Sequence, residues 1–319
     1  MLTVYPAYAG SSVSSPADQI SWLDLFDPTE TERKSVESTY GFRLPSREEL
    51  SEIESSSRIA EKDGVLYLNM PIVAYAGALE EPSSPLGFVL SKDVLVTIRY
   101  TPLRSFEAAA AKFAHNRPSS SVEAFAAIID EMVDSMADLL EGVAAELDDV
   151  SRKIFLRRRE GRRKRTQSNE DLRRVLTKVG SIGDRASRIR DILLGLQRIV
   201  PFVSGLEREL VPHDVRGRLK AAQNDVLSLT DYELHLSNKV QFLLDAVLGL
   251  INTKQNDIFT VLTVVSVVGI PPTLVASIYG MNFKNMPELG WAWGYEFGLA
   301  MIVLSAVIPI LWFKWKGWL

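Results

Sequence analysis

Residues 258–278 carry no charge, and a chain with a run of about twenty-one such residues must bury it in a core or in lipid. At about 1.5 Å per residue a helix of that length crosses a hydrocarbon layer of roughly 30 Å. The helical pattern that leads into the run begins near Pro212-His213-Asp214 and meets no stop before Pro271. A helix over about 214–277 is on the order of 95 Å long. A globular body of this size cannot hide such a rod, so the run is read as a transmembrane helix. A second apolar run, GYEFGLAMIVLSAVIPILWF, follows a short polar interruption and ends in WFKWKGWL. Trp312, Trp315 and Trp318 with Lys314 and Lys316 form an interfacial anchor on the positive side. Lys254 precedes the first span, whereas in the connecting segment Lys284 is opposed by Glu288 and Glu296. The positive-inside tendency then places both termini in the cytoplasm of a cell whose cytoplasmic (inner) membrane holds the protein. The start, MLTVYPAYAGSSVSS, has no basic leader and no continuous apolar core, as expected for a domain that stays in the cytoplasm.

Ahead of the spans the chain reads as ordinary folded protein. Residues 1–102 alternate short β-like runs with polar helices, giving a cytoplasmic α/β domain. Helix starts are expected at Asp27-Pro28-Thr29-Glu30 and at Pro45-Ser46. DGVLYLNMPIVAY and PLGFVLSKDVLVTIR are expected as neighbouring strands of one sheet. Residues 103–213 turn to long helical segments, an antiparallel hairpin with the basic tip RRREGRRKR at 157–165. A solvated helix end, contact with anionic lipid and contact with nucleic acid all remain open for that tip. The run has no interleaved aromatics, which counts against nucleic acid as a partner. Residues 214–278 are the stalk helix continuing into the first span, 279–290 an external loop, and 291–319 the second span with its tail. The fold class is an α+β membrane protein.

The chemistry of catalysis is missing from the sequence. There are no cysteines and only His115, His213 and His235 as imidazoles, and no phosphate-binding or metalloprotease pattern occurs. The chain is therefore not read as an enzyme, and a net charge of -4 is too small to name a partner.

One face of the stalk and first span is unusual. Asp245, Gly249, Asn252, Asn256, Phe259, Leu262, Ser266, Ile270, Thr273 and Ser277 follow one another at steps of three and four. Several are small or polar where lipid favours Leu or Ile, so this face turns to another helix or to water. A packing face for the second span and a wet axis shared by several copies both fit the period; Asp245, Asn252 and Asn256 in one line tilt it toward the wet axis. Pro271 and Pro272 remove two backbone donors, which kinks the helix or offers carbonyl oxygens near Val267 and Val268 to a pore.

SIYGMNFKNMPEL, residues 277–289, preceded by VVSVVGIPPTLVA and followed by a second span ending in KWKGWL, resembles the CorA family of magnesium channels. The match centres on Gly280-Met281-Asn282 and on Met286-Pro287-Glu288-Leu289, and extends more weakly over essentially the whole chain. The resemblance implies a homopentamer in the lipid bilayer, the first spans lining a central pore, the second packed outside and the stalks forming a cytoplasmic funnel. It implies Mg²⁺ influx, with Co²⁺ and Ni²⁺ as further candidates, through a filter at Gly280, Met281 and Asn282. Asn282 would ring the outer mouth, Asn256 the inner end of the membrane pore and Asp245 the throat, with Phe259, Leu262, Ile270 and Thr273 along the wall. Glu288 either raises the local cation concentration or is an idle loop carboxylate. Mg²⁺ is also implied as a regulatory ion between subunits, with Glu80, Glu81 and Asp225 as candidate ligands. The basic tip departs from the acidic tip expected of the family.

Two rivals stand beside this. A relative of ZntB would move Zn²⁺; Met281 in place of Val in the signature, and the lack of soft ligands, favour the magnesium branch. A membrane-anchored scaffold protein would explain the spans and the basic tip, and would leave Asp245, Asn252, Asn256 and the loop signature without a use.

Overall fold

A computed structural model of the chain describes residues 1–5, 21–52, 58–73, 83–115, 118–155, 169–207, 211–281 and 286–318. Two compact units result, Met1–Leu244 and Asp245–Leu319. The sequence boundaries at 102/103 and 213/214 both fall inside the first.

The first unit is built on a six-stranded sheet of β1 (Leu2–Tyr5), β2 (Trp22–Phe26), β3 (Ile59–Lys62), β4 (Val65–Ile72), β5 (Ser84–Leu90) and β6 (Leu95–Arg99). The spatial order is β1-β2-β6-β5-β4-β3, with β2 and β6 parallel and every other pair antiparallel. The run expected as a single strand, PLGFVLSKDVLVTIR, is a hairpin. Ser91 Oγ accepts from the Val94 N–H at 3.1 Å and the Ser91 N–H donates to the Val94 carbonyl at 3.0 Å, closing a turn between β5 and β6.

Period-two alternation gives the sheet two apolar faces. Leu23, Leu25, Val96 and Ile98 pack with Val36 of α1 (Glu30–Tyr40), with Leu44, and with Leu50 of α2 (Arg47–Leu50). Both helices start where the sequence places them, and each does so at a capping box, Thr29 with Glu32 and Ser46 with Glu49. On the opposite face Trp22 and Phe88 meet Phe106 and Phe113 of α3 (Arg104–His115) and Phe125 of α4 (Ser121–Phe155). The same face buries a polar cluster. Trp22 Nε1 donates to Thr97 Oγ1 at 2.9 Å, Thr97 Oγ1 donates to Asp24 Oδ1 at 2.8 Å, and Arg99 Nη2 donates to Asp24 Oδ2 at 2.8 Å.

Three long helices complete the unit: α4, α5 (Asn169–Ser204) and the first half of α6 (His213–Tyr279). Arg185 of α5 donates to Glu146 of α4 at 2.6 Å, within the expected antiparallel hairpin. Ion pairs Arg218–Asp130 and Lys239–Asp148 run α6 parallel to α4. Between α5 and α6 lies Glu233, fully buried, which accepts from Ser237 Oγ at 2.6 Å and from Arg190 Nη1 at 3.4 Å. At Gly195, a Cβ would lie 2.8 Å from Met70 Cβ, so only glycine lets α5 come this close to β4.

The second unit holds the rest of α6, a 3₁₀ turn at Pro287–Gly290, and α7 (Gly294–Trp315). Among the described residues two helices, α6 and α7, are long and apolar enough to cross a membrane. α7 closes in a Schellman motif: Trp318 N–H bonds the Phe313 carbonyl at 3.0 Å, Gly317 N–H bonds the Lys314 carbonyl at 3.2 Å, and Gly317 takes φ +73°. The Trp318 ring stacks on Phe313, which is only 1% exposed.

Candidate functional site

α6 carries the whole predicted stripe on one uninterrupted helix of 67 residues. Asp245, Gly249, Asn252, Asn256, Phe259, Leu262, Ile270, Thr273 and Ser277 are exposed, and Ser266 is half-buried. Phe259, Leu262 and Ile270 keep 64%, 60% and 65% of their surface open, so a single chain leaves this face uncovered. A shallow groove of about 530 Å³ lies along it, lined by Val265, Gly269, Ile270, Thr273, Leu274 and Ser277.

The helix continues through Pro271 and Pro272. Neither has an N–H, so the carbonyls of Val267 and Val268 lose their usual partners four residues on. Four hydroxyls of this run bond its own backbone: Thr260 to Asn256, Thr263 to Phe259, Thr273 to Gly269 and Ser277 to Thr273, at 2.7 to 2.9 Å. Each proton is thereby used inside the helix, and the oxygen lone pairs remain as acceptors. Thr273 and Ser277 thus present acceptors on the exposed stripe, suited to the O–H groups of water around a cation.

The signature begins where α6 ends. Gly280 N–H bonds the Ala276 carbonyl at 2.9 Å and Met281 N–H the Ile278 carbonyl at 3.2 Å, with the Met281 side chain exposed. Asn282 lies outside the described residues, as do Glu80, Glu81 and the basic tip. Glu288 sits in the 3₁₀ turn, and its carbonyl accepts from Trp291 N–H at 3.3 Å. Asp225 is an exposed residue of α6, and no group of three or more His, Asp or Glu disposed to hold a metal occurs among the described residues.

Two features escaped the sequence reading. The seven-residue spacing Asn252–Asp245 continues toward the start of α6 as Asn238, Asp231 and Asn224, all exposed. Counting by sevens rather than by threes and fours would have found them. The other is a second aromatic group, Trp291, Trp293 and Tyr295, exposed at the start of α7 and opposite in sequence to Trp312, Trp315 and Trp318. The 22 residues of α7 rise about 33 Å, which sets the two groups a bilayer core apart.

A family model described as CorA-like Mg²⁺ transporter protein matches residues 17–315. The magnesium transport protein CorA of Escherichia coli K12 is 31% identical over 308 residues, covering 96% of this chain and 94% of its own length. That of Yersinia pseudotuberculosis is 32% identical over 301 residues, covering 93% and 92%. Among solved structures, the complete CorA magnesium transporter of Methanocaldococcus jannaschii superposes with a TM-score of 0.75 at 19% identity, over 93% of this chain and 91% of that one. The cytoplasmic domain of ZntB from Vibrio parahaemolyticus gives 0.55 at 14% identity, over 73% and 88%, a likeness of fold.

Proposed function

The chain belongs to the family of CorA-like Mg²⁺ transporter proteins, and on that premise we propose that it is a homopentameric channel admitting Mg²⁺ across the cytoplasmic membrane. The observation that carries this is the open stripe of α6, which runs from Asp245 to Ser277 and ends at Gly280 and Met281. Fivefold symmetry turns each member of such a stripe into a ring about one axis. Asn256 and Asp245 then ring the inner end of the membrane pore and the throat, and Phe259, Leu262 and Ile270 form apolar constrictions that gate by excluding water. Asn282 supplies five amide carbonyls at the outer mouth.

Mg²⁺ sheds water reluctantly, so a filter for it works best on the hydrated ion. Amide oxygens accept hydrogen bonds from the bound waters without the grip of a carboxylate, and weak binding is what conduction needs. Co²⁺ and Ni²⁺, as hydrated divalents, are candidate second cargoes. Closure by intracellular Mg²⁺ is assigned to carboxylates between subunits, with Glu80, Glu81 and Asp225 as the ligands to test. Both termini face the cytoplasm.

Reconstitution of the purified chain in liposomes, with influx of Mg²⁺, Co²⁺, Ni²⁺ and Zn²⁺ read by entrapped dyes, tests the reading alongside the oligomer's mass. The expected result is Mg²⁺ influx by a pentamer. Influx of Zn²⁺ alone would favour the ZntB-like alternative, and a monomer without flux would favour the scaffold.

A further inference from the structure

The end of α7 is folded into a small aromatic platform that the ion seam of α6 does not use. Trp318 stacks on the buried Phe313 ring with centroids 5.5 Å apart, and Trp312 packs against the same ring at 5.2 Å. Both indoles still leave about half of their surface open, and Trp315 beside them is more open still. Backbone groups close the helix: the N–H groups of Lys316, Gly317 and Trp318 bond the carbonyls of Trp312, Lys314 and Phe313 at 3.0 to 3.2 Å. Lysines near a helix end commonly serve those carbonyls. Here the backbone has taken them, so both ammonium groups are left for something else.

Lys316 Nζ lies 5.8 Å from the centroid of the Trp312 ring, and the Lys314 side chain is exposed. By the helical period the two lysines flank Phe313, about 100° to one side and about 60° to the other. Among the described residues neither lysine meets a carboxylate, and the indole N–H groups of Trp312, Trp315 and Trp318 meet no acceptor. Residues 297–318 hold these two cations and no Asp or Glu. Unpaired ammonium groups and indole donors around open aromatic rings call for a ligand with an anionic head and an apolar body. A soluble anion would answer the charges and leave the rings bare. Phosphatidylcholine would cover the rings and bring its own cation against the lysines, whereas an anionic phospholipid answers both.

We propose that this end of α7 binds the phosphate of an anionic phospholipid through Lys314 and Lys316, with Trp312 and Trp318 lying against the lipid below its headgroup. The assignment rests on the reading that α7 crosses the membrane. The purified full-length protein is exchanged into micelles holding equal amounts of phosphatidylglycerol and phosphatidylcholine, and the lipid it retains is counted by mass spectrometry of the intact assembly. Phosphatidylglycerol is expected to be retained about tenfold over phosphatidylcholine, the order of effect that two cations at a membrane surface supply. In a variant carrying Lys314→Gln and Lys316→Gln the preference should fall to parity. Lys314→Arg with Lys316→Arg should keep it, which separates lost charge from a misfolded tail. Equal retention of the two lipids by the parent, or a preference that survives the Gln pair, would overturn the proposal. So would displacement of the bound lipid by inorganic phosphate, the behaviour of a simple anion site. Mg²⁺ influx into liposomes made from the same samples reports the channel separately: lipid preference without influx contradicts only the channel, and influx without preference contradicts only the lipid site.

Discussion

Asp24 and Arg99 show how much of the first unit's stability hangs on single side chains. Asp24 is 3% exposed and its carboxylate takes hydrogen bonds from Thr97 and Arg99, so the buried charge is fully compensated. Arg99→Ala strands that carboxylate in the sheet and should cost about 3–5 kcal/mol, read as a fall in the unfolding temperature of the purified protein. An unchanged midpoint would mean that water reaches Asp24. Asp130 of α4 is a separate case. Burial pushes its carboxyl above the usual range, although the Arg218 hydrogen bond pulls it back. A carboxyl raised in the folded state binds its proton more tightly there, so its contribution favours folding at low pH and is lost as pH rises through the folded value. Asp130→Asn removes that dependence. The stability difference between the variant and the parent should shrink as pH falls from neutral toward the ordinary carboxylate range, and a difference that widens would assign the shift to another group.

Elements were legible wherever the signal was local. The starts of α1 and α2 were written in Asp27-Pro28-Thr29-Glu30 and Pro45-Ser46, and that of α6 in Pro212-His213-Asp214. The two candidate spans followed from apolar length, uncharged throughout 258–278 and interrupted by Glu296 near the start of the second run. The stripe on α6 needed only the helical period. Contacts made across the chain were not legible: the parallel pairing of β2 with β6, the Asp24–Arg99 pair 75 residues apart, and the burial of Glu233 against α5. The β5–β6 turn was missed because Ser91 and Val94 build it without the glycine or proline that usually marks one. At the end of α7, Gly317 carries the cap that holds Trp318 on Phe313. Gly317→Ala meets a left-handed backbone and should destabilise the tail by about 1 kcal/mol. The measurable consequence is greater solvent quenching of tryptophan fluorescence, and unaltered quenching would show that the stack survives without the cap.

At the scale of the whole molecule, the two units differ in what they bury. The first has a buried core with both faces of its sheet covered, and the second exposes long apolar runs of α6 and α7. α6 runs through both, and Asn224, Asp231, Asp245, Asn256 and Ser277 are exposed along it. In the proposed pentamer these residues form rings that act on cations together, so flux should depend on them as a unit, and selection is assigned to the proposed filter at Asn282. Mg²⁺ influx into liposomes is therefore compared between the parent chain and Asn282→Ala, with the oligomer's mass measured on both samples. The expected result is influx through the parent and none through the variant, with the pentamer intact in each. Normal influx through an intact Asn282→Ala pentamer would contradict the assignment of the filter, and no influx through the parent would contradict the channel.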